Sequence, residues 1–227
     1  MKKLPYKIKY IILLSAFAAA ALLGALIFED KKYIWISICI ALASCIPVFA
    51  TFESKKTSTR KLVVLSVMVT LSIVGRFAFS FVPHFKPVTA IVMITGMYLG
   101  AESGFLCGAL SALLSNFIFG QGPWTPFQMF AWGTIGLFAA LLSKLLQKSK
   151  FSLCCFGALS GVLYSLILDV SSTLWYDGAF NLSRYGALII TSLPVIAVYA
   201  MSNAVFLLLL AKPMGEKLTR IRIKYGV

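Results

Sequence analysis

SNFIFGQGPWTPFQM, residues 115–129, separates two strongly apolar runs, and its reading decides the fold. It carries no charge, but it gathers Asn116, Gln121, Thr125 and Gln128 around Gly120, Gly122, Pro123, Trp124 and Pro126. Glycine lets a backbone turn tightly, and proline fixes φ and removes a donor. The stretch therefore reads as a stiff, polar loop joining two apolar helices, and the rest of the chain must supply the medium that those helices occupy.

Composition supplies it. Of 227 residues, 60% are hydrophobic and 12% charged, against roughly 25% charged in soluble domains. The apolar residues fall in long runs, the pattern of a polytopic all-α membrane protein. The formal charge of +14 would suggest nucleic acid in a soluble chain. Here it is explained by Lys and Arg gathered in loops on one side of a bilayer, so no nucleic-acid partner is expected. The five cysteines lie in apolar runs, form no CxxC, and are accompanied by one histidine, His84. They read as small buried hydrophobes, with neither a metal site nor a cofactor implied.

Outward from the loop, the predicted helices are residues 11–28, 33–52, 62–82, 88–99, 103–119, 126–146, 151–170 and 187–211. The first run, 18 residues long, exceeds the roughly 7–15 of a signal h-region and has its small residues in mid-run. It reads as a retained helix, with cleavage as the alternative. The 33 residues from Pro87 to Phe119 are too many for one crossing of about 20, and GAESG at 100–104 divides them. Residues 171–184 read as a polar loop, Pro194 as a kink in the last helix, and 212–227 as a basic tail.

The charges test this count. Eight spans place 16 Lys and Arg on the side of the N-terminus and 5 on the other. The positive-inside rule then makes both termini cytoplasmic and the 115–129 loop external. Fusing the fourth and fifth helices would send the basic residues near Lys144 and Lys212 outside. Gly96/Gly100, Gly104/Gly108 and Gly157/Gly161 are spaced four apart, as helix-packing pairs are.

Catalytic patterns are missing: no Walker A, no HExxH, and no GxSxG with triad partners. Seven acidic residues, most of them in loops, leave little for acid–base chemistry, so an enzyme is not expected. Nor is a mid-span carboxylate available to couple transport to an ion gradient. The polar and aromatic residues instead collect at the external ends of the helices: Arg76, Asn116, Gln121, Trp124, Thr125, Gln128, Trp132, Asp169 and Tyr176. Aromatic faces with a few placed polar groups are what an organic-ligand pocket needs. Competing readings are interfacial anchoring for Tyr176, pairing of Arg76 with Asp169, and a solvated turn for His84 and Lys86.

At these residues the chain resembles the substrate-binding S components of energy-coupling factor (ECF) vitamin transporters. The resemblance covers residues 62–211 and rests on GRFAFSFVPHFKPVTAIVMITGMYLGAESGFLCGALSALLSNFIFGQGPWTPFQMFAWGTIG, residues 75–136. Within it, FGQGPWTPFQM is most similar to the cobalamin-type branch. The resemblance implies a six-helix S-component core at 62–211, preceded by a two-helix extension within 1–61 and followed by the tail at 212–227. It implies a vitamin, foremost a corrinoid, held near the outer face, with riboflavin as an alternative ligand. Trp124 and Trp132 would pack on its apolar faces, and Asn116, Gln121, Thr125 and Gln128 would bond its amides. It further implies a transmembrane T component and two ATPase subunits as partners, in a bacterial plasma membrane. Ser66 and Thr70 stand where the family places alanines on the T-component contact. A self-sufficient secondary transporter and a ligand-free scaffold are the rival readings.

Overall fold

The computed structural model describes residues 59–225. The helices expected at 11–28 and 33–52, and the N-terminus placed in the cytoplasm, lie outside the described residues. Seven helices follow in order: α1 Thr59–Ala78, α2 Val88–Leu99, α3 Ala101–Phe119, α4 Thr125–Leu141, α5 Ser143–Lys148, α6 Lys150–Asp177 and α7 Leu182–Tyr225. Four of them, α1, α3, α6 and α7, are long and apolar enough to cross a membrane.

α2 is the centre of the bundle. Pro87 precedes it, and Gly100, at φ 98°, ends it in a conformation that side chains other than glycine's rarely adopt. Its twelve residues rise only about 18 Å, less than a bilayer core. All but Tyr98 are buried, so neighbouring helices, not lipid, surround it. A helix apolar on every side is stable only when enclosed in this way.

Glycines bring the central helices together. A Cβ on Gly96 of α2 or Gly104 of α3 would strike the Gly136 carbonyl of α4, and one on Gly108 would strike the Trp132 backbone. On the other side of the bundle, α6 and α7 meet at Gly157 against Leu207 and at Gly161 against Tyr199. Asn203 of α7 donates to the Gly157 carbonyl at 2.9 Å, tying the two helices by a buried polar contact. The expected packing role therefore fits five of the six paired glycines, while Gly100 serves the turn and has nothing near its absent side chain.

α1 packs on α2 and α3 through Leu65, Met68, Val69, Ser72 and Arg76. Its opposite face, with Val63, Val67 and Val74, is apolar and exposed, as suits a helix between a bundle and lipid.

Several predicted boundaries are corrected: α1 ends at Ala78 and not at residue 82, and α7 begins at Leu182, inside the predicted 171–184 loop. α6 runs on to Asp177, so residues 171–177 are helix and not loop. Ser172 and Thr173 donate to the Leu168 and Asp169 carbonyls four residues back, which satisfies hydroxyls that had suggested a solvated segment. α7 continues through Lys212 to Tyr225, because Gly215 and Leu218 stay buried, Gly215 against the Tyr98 ring. The predicted helix 126–146 divides at Leu142 into α4 and the short α5.

Candidate functional site

Where the C-terminal end of α1 meets the N-terminal end of α2, a buried polar network crosses the bundle. The Arg76 guanidinium donates to Ser115 Oγ and, at 2.8 Å, to Asn116 Oδ1. Asn116 Nδ2 donates to Thr125 Oγ1 at 2.9 Å and to Gln128 Oε1 at 2.8 Å. Gln128 Nε2 donates to the Tyr164 hydroxyl at 3.0 Å. Four helices, α1, α3, α4 and α6, are thereby joined by one chain of side-chain bonds. Thr125 in turn donates to Gln121 Oε1, and Gln121 Nε2 to the Leu113 carbonyl, so the loop is laced to α3.

Arg76 is a buried cation, and among the described residues no carboxylate pairs with it. Its charge is met by neutral oxygens and by two ring faces: Phe119 at 4.6 Å and Trp132 at 5.2 Å from the guanidinium carbon. Ring quadrupoles attract a desolvated cation. Asp169, its partner in the competing reading, accepts instead from Ser192 Oγ at 3.0 Å, across the α6–α7 contact.

Beside Arg76 lies a cavity of about 50 Å³, lined by Arg76, His84, Lys86, Val88, Thr89, Trp132, Tyr164 and Tyr199. Trp132 and Tyr164 stack, with centroids 5.1 Å apart and planes 18° from parallel, and Tyr199 meets Tyr164 edge-on at 5.3 Å. His84 Nδ1 lies 3.2 Å from the Tyr199 hydroxyl. Ser202 Oγ accepts from the Lys86 N–H and donates to its carbonyl, fixing the turn that carries His84 and Lys86.

His84 and Lys86 stand in the turn between α1 and α2. Burial, and then the positive charge of Lys86, hold the His84 imidazole below its usual 6.5. Burial, and then Arg76, lower the Lys86 ammonium from its usual value. Cations drawn together in a partly dry site disfavour further protonation, which leaves His84 neutral at pH 7.

The sequence-predicted residues divide into three groups. Arg76 and Trp132 line the cavity. Asn116, Thr125 and Gln128 are buried behind it, bonded to one another and to the wall. Trp124, 40% exposed, and Gln121 lie on the loop surface. Asp169 and Tyr176 do not join the cavity, and Tyr176 is exposed beside Arg184. Six lining residues were not chosen from the sequence: Val88, Thr89, Tyr164 and Tyr199 were not singled out, and His84 and Lys86 read as a solvated turn. A tyrosine inside a span is itself a signal, since its hydroxyl needs a partner when buried.

On the outer face of α1, Ser66 and Thr70 are exposed, and their hydroxyls donate to the Leu62 and Ser66 carbonyls. With their polar groups satisfied inside the helix, they present a small, nearly apolar surface. Together with Leu62, Val67 and Leu71 they line a shallow concavity of about 420 Å³.

A protein-family model described as the S component of the ECF-type riboflavin transporter matches residues 56–220, nearly three quarters of the chain. No curated protein and no solved structure gives a match. The matched family supports the S-component resemblance but not its cobalamin-type branch.

Proposed function

The chain belongs to the ECF-type riboflavin transporter S-component family, and from that premise we propose that it captures riboflavin or a close flavin for an ATP-driven importer. As a multi-pass membrane protein of a transporter family it would present the vitamin to a T component coupled to two ATPase subunits, in a bacterial plasma membrane. The family match carries this reading, and the cavity's chemistry agrees with it. Trp132, Tyr164 and Tyr199 give aromatic surface for a flat tricyclic ring. Arg76, His84 and Lys86 give donors for its carbonyl oxygens and ribityl hydroxyls.

The corrinoid expectation rested on the amides of the 115–129 loop bonding the amides of the ligand. Asn116 and Gln128 already spend their groups on each other, on Arg76 and on Tyr164. Their proposed role becomes that of positioning residues: they hold Arg76 and Tyr164 at the cavity. A site for an organic ligand occupies some 300–1,000 Å³, so admission of a vitamin requires the turn that carries His84 and Lys86 to move away from Trp132, Tyr164 and Tyr199. Ser66 and Thr70 keep their proposed part as the T-component contact, since small satisfied residues permit close helix approach.

Calorimetric titration of the purified chain tests the ligand. Riboflavin is expected to bind saturably at one site, and cobalamin to give no heat. Binding of cobalamin without riboflavin would overturn the flavin reading. Ion-gradient-driven uptake by the chain alone in liposomes would replace the subunit reading with a self-sufficient carrier.

A further inference from the structure

At the opposite end of α2 from Arg76, a second and much larger cavity of about 610 Å³ opens between the C-terminus of α2, the N-terminus of α6 and the last turns of α7. Lys148, Lys150, Lys212 and Arg220 line it, against a single acid, Glu216. Among the described residues none of these four cations is in an ion pair. Leu146 and Leu207 are buried at its apolar floor, and Leu208, 53% exposed, opens it toward the outside of the bundle.

The continuation of α7 builds this site. Leu208, Lys212, Glu216 and Arg220 are spaced by four, so they form one stripe on one helix face, apolar at one end and basic at the other. Gly215 allows Tyr98 of α2 to close against that helix, and Gln147 Nε2 donates to the Met97 carbonyl, which fixes α5 across the end of α2. The result is a fixed concavity with phosphate-binding chemistry above and hydrocarbon chemistry below. Arg and Lys bind phosphate oxygens by charge-assisted hydrogen bonds. Basic pockets between membrane helices take anionic lipid headgroups in the same way.

We infer that this cavity binds an anionic phospholipid, with the phosphate held by Lys148, Lys150, Lys212 and Arg220 and an acyl chain leaving past Leu208. A free phosphate would use the basic rim alone and leave the apolar floor without purpose, and a zwitterionic lipid would leave the excess charge unmet. The site shares no residue with the aromatic cavity or with the Ser66–Thr70 face, so it stands independently of the proposed ligand and partner.

The test uses the full chain purified in neutral detergent, with thermal unfolding followed as phosphatidylglycerol, phosphatidylcholine or inorganic phosphate is added. Phosphatidylglycerol is expected to raise Tm saturably and the other two are not. The K148Q/K212Q variant should need about tenfold or more phosphatidylglycerol for the same rise. The R222Q/K224Q variant removes the same charge outside the cavity and should respond as wild type. Equal loss in both variants would reduce the effect to general surface charge and overturn the site. An equal rise with inorganic phosphate would overturn the lipid assignment, and so would absence of any rise with phosphatidylglycerol in the wild-type chain.

Discussion

The two ends of α2 handle positive charge in opposite ways. At its N-terminal end, Arg76 is buried, and its acceptors are neutral and themselves bonded onward, Asn116 to Gln128 and Ser115 to the Ser111 carbonyl. At its C-terminal end, Lys148, Lys150, Lys212 and Arg220 stand open around a wide cavity with no partner within the described chain. A desolvated charge makes its neighbours obligatory, because each buried group left unpaired costs the full desolvation of that group. A solvated charge makes no such demand. One end is therefore built of interdependent residues, and the other of residues that can be changed one at a time.

The largest expected effect follows from that interdependence. Asn116→Leu removes an acceptor from Arg76 and a donor from both Thr125 and Gln128, at a cost of about 3 kcal/mol. For a chain of this size that corresponds to roughly 6–12 °C in Tm. Lys148→Gln at the other end should stay within about 0.5 kcal/mol of wild type when no anionic lipid is present. Thermal unfolding of both variants in the same detergent measures the contrast, and similar losses in the two would break it.

Next in size is the aromatic wall. Trp132→Ala removes the ring stacked on Tyr164 and facing Arg76, worth about 2 kcal/mol of ligand contact. Riboflavin affinity should fall about 30-fold, while Trp132→Phe keeps a ring face and should lose less than half of that free energy. Trp124→Ala and Gln121→Ala, on the exposed loop surface, should each change affinity only about threefold, below about 0.7 kcal/mol. A loss at Trp124 equal to that at Trp132 would move the ligand from the cavity to the loop.

The legibility of these regions differed for physical reasons. α2 was readable to the residue, since Pro87 and Gly100 punctuate it and both act through the backbone. The 115–129 loop was readable as a special segment, since its amides and prolines have no place in lipid. What its amides bond was not readable: the partners of Gln128 and Arg76 lie 36 and 40 residues away along the chain, and only the packing of α6 and α3 against α4 and α1 brings them near. Tyr164 and Tyr199 were hidden for the same reason. The end of α6 was misjudged because Ser171, Ser172 and Thr173 look solvated in sequence, yet helical hydroxyls can satisfy themselves on the preceding turn.

The smallest expected effect tests whether the Arg76 end behaves as a dry, cationic site at all. His84 has its imidazole held below 6.5 by burial and by Lys86, with Arg76 lining the same cavity. The unfolded chain takes up the proton first as the pH falls, so the neutral imidazole contributes stability that is full above about 6.5. That contribution is lost as the pH falls from the ordinary value through the lowered one, and below that no further loss comes from this group. His84→Asn removes the titration and keeps a residue that tolerates the φ of 60° found there. The Tm difference between wild type and His84→Asn, followed from pH 8 to pH 5, should therefore shift against the wild type on the acid side of pH 6.5. The same comparison with Lys148→Gln should be level, since that substitution leaves His84 and its surroundings in place. A level difference for His84→Asn would mean that the imidazole is solvated like the lysines of the far end, and the contrast between the two ends would then rest on Arg76 alone.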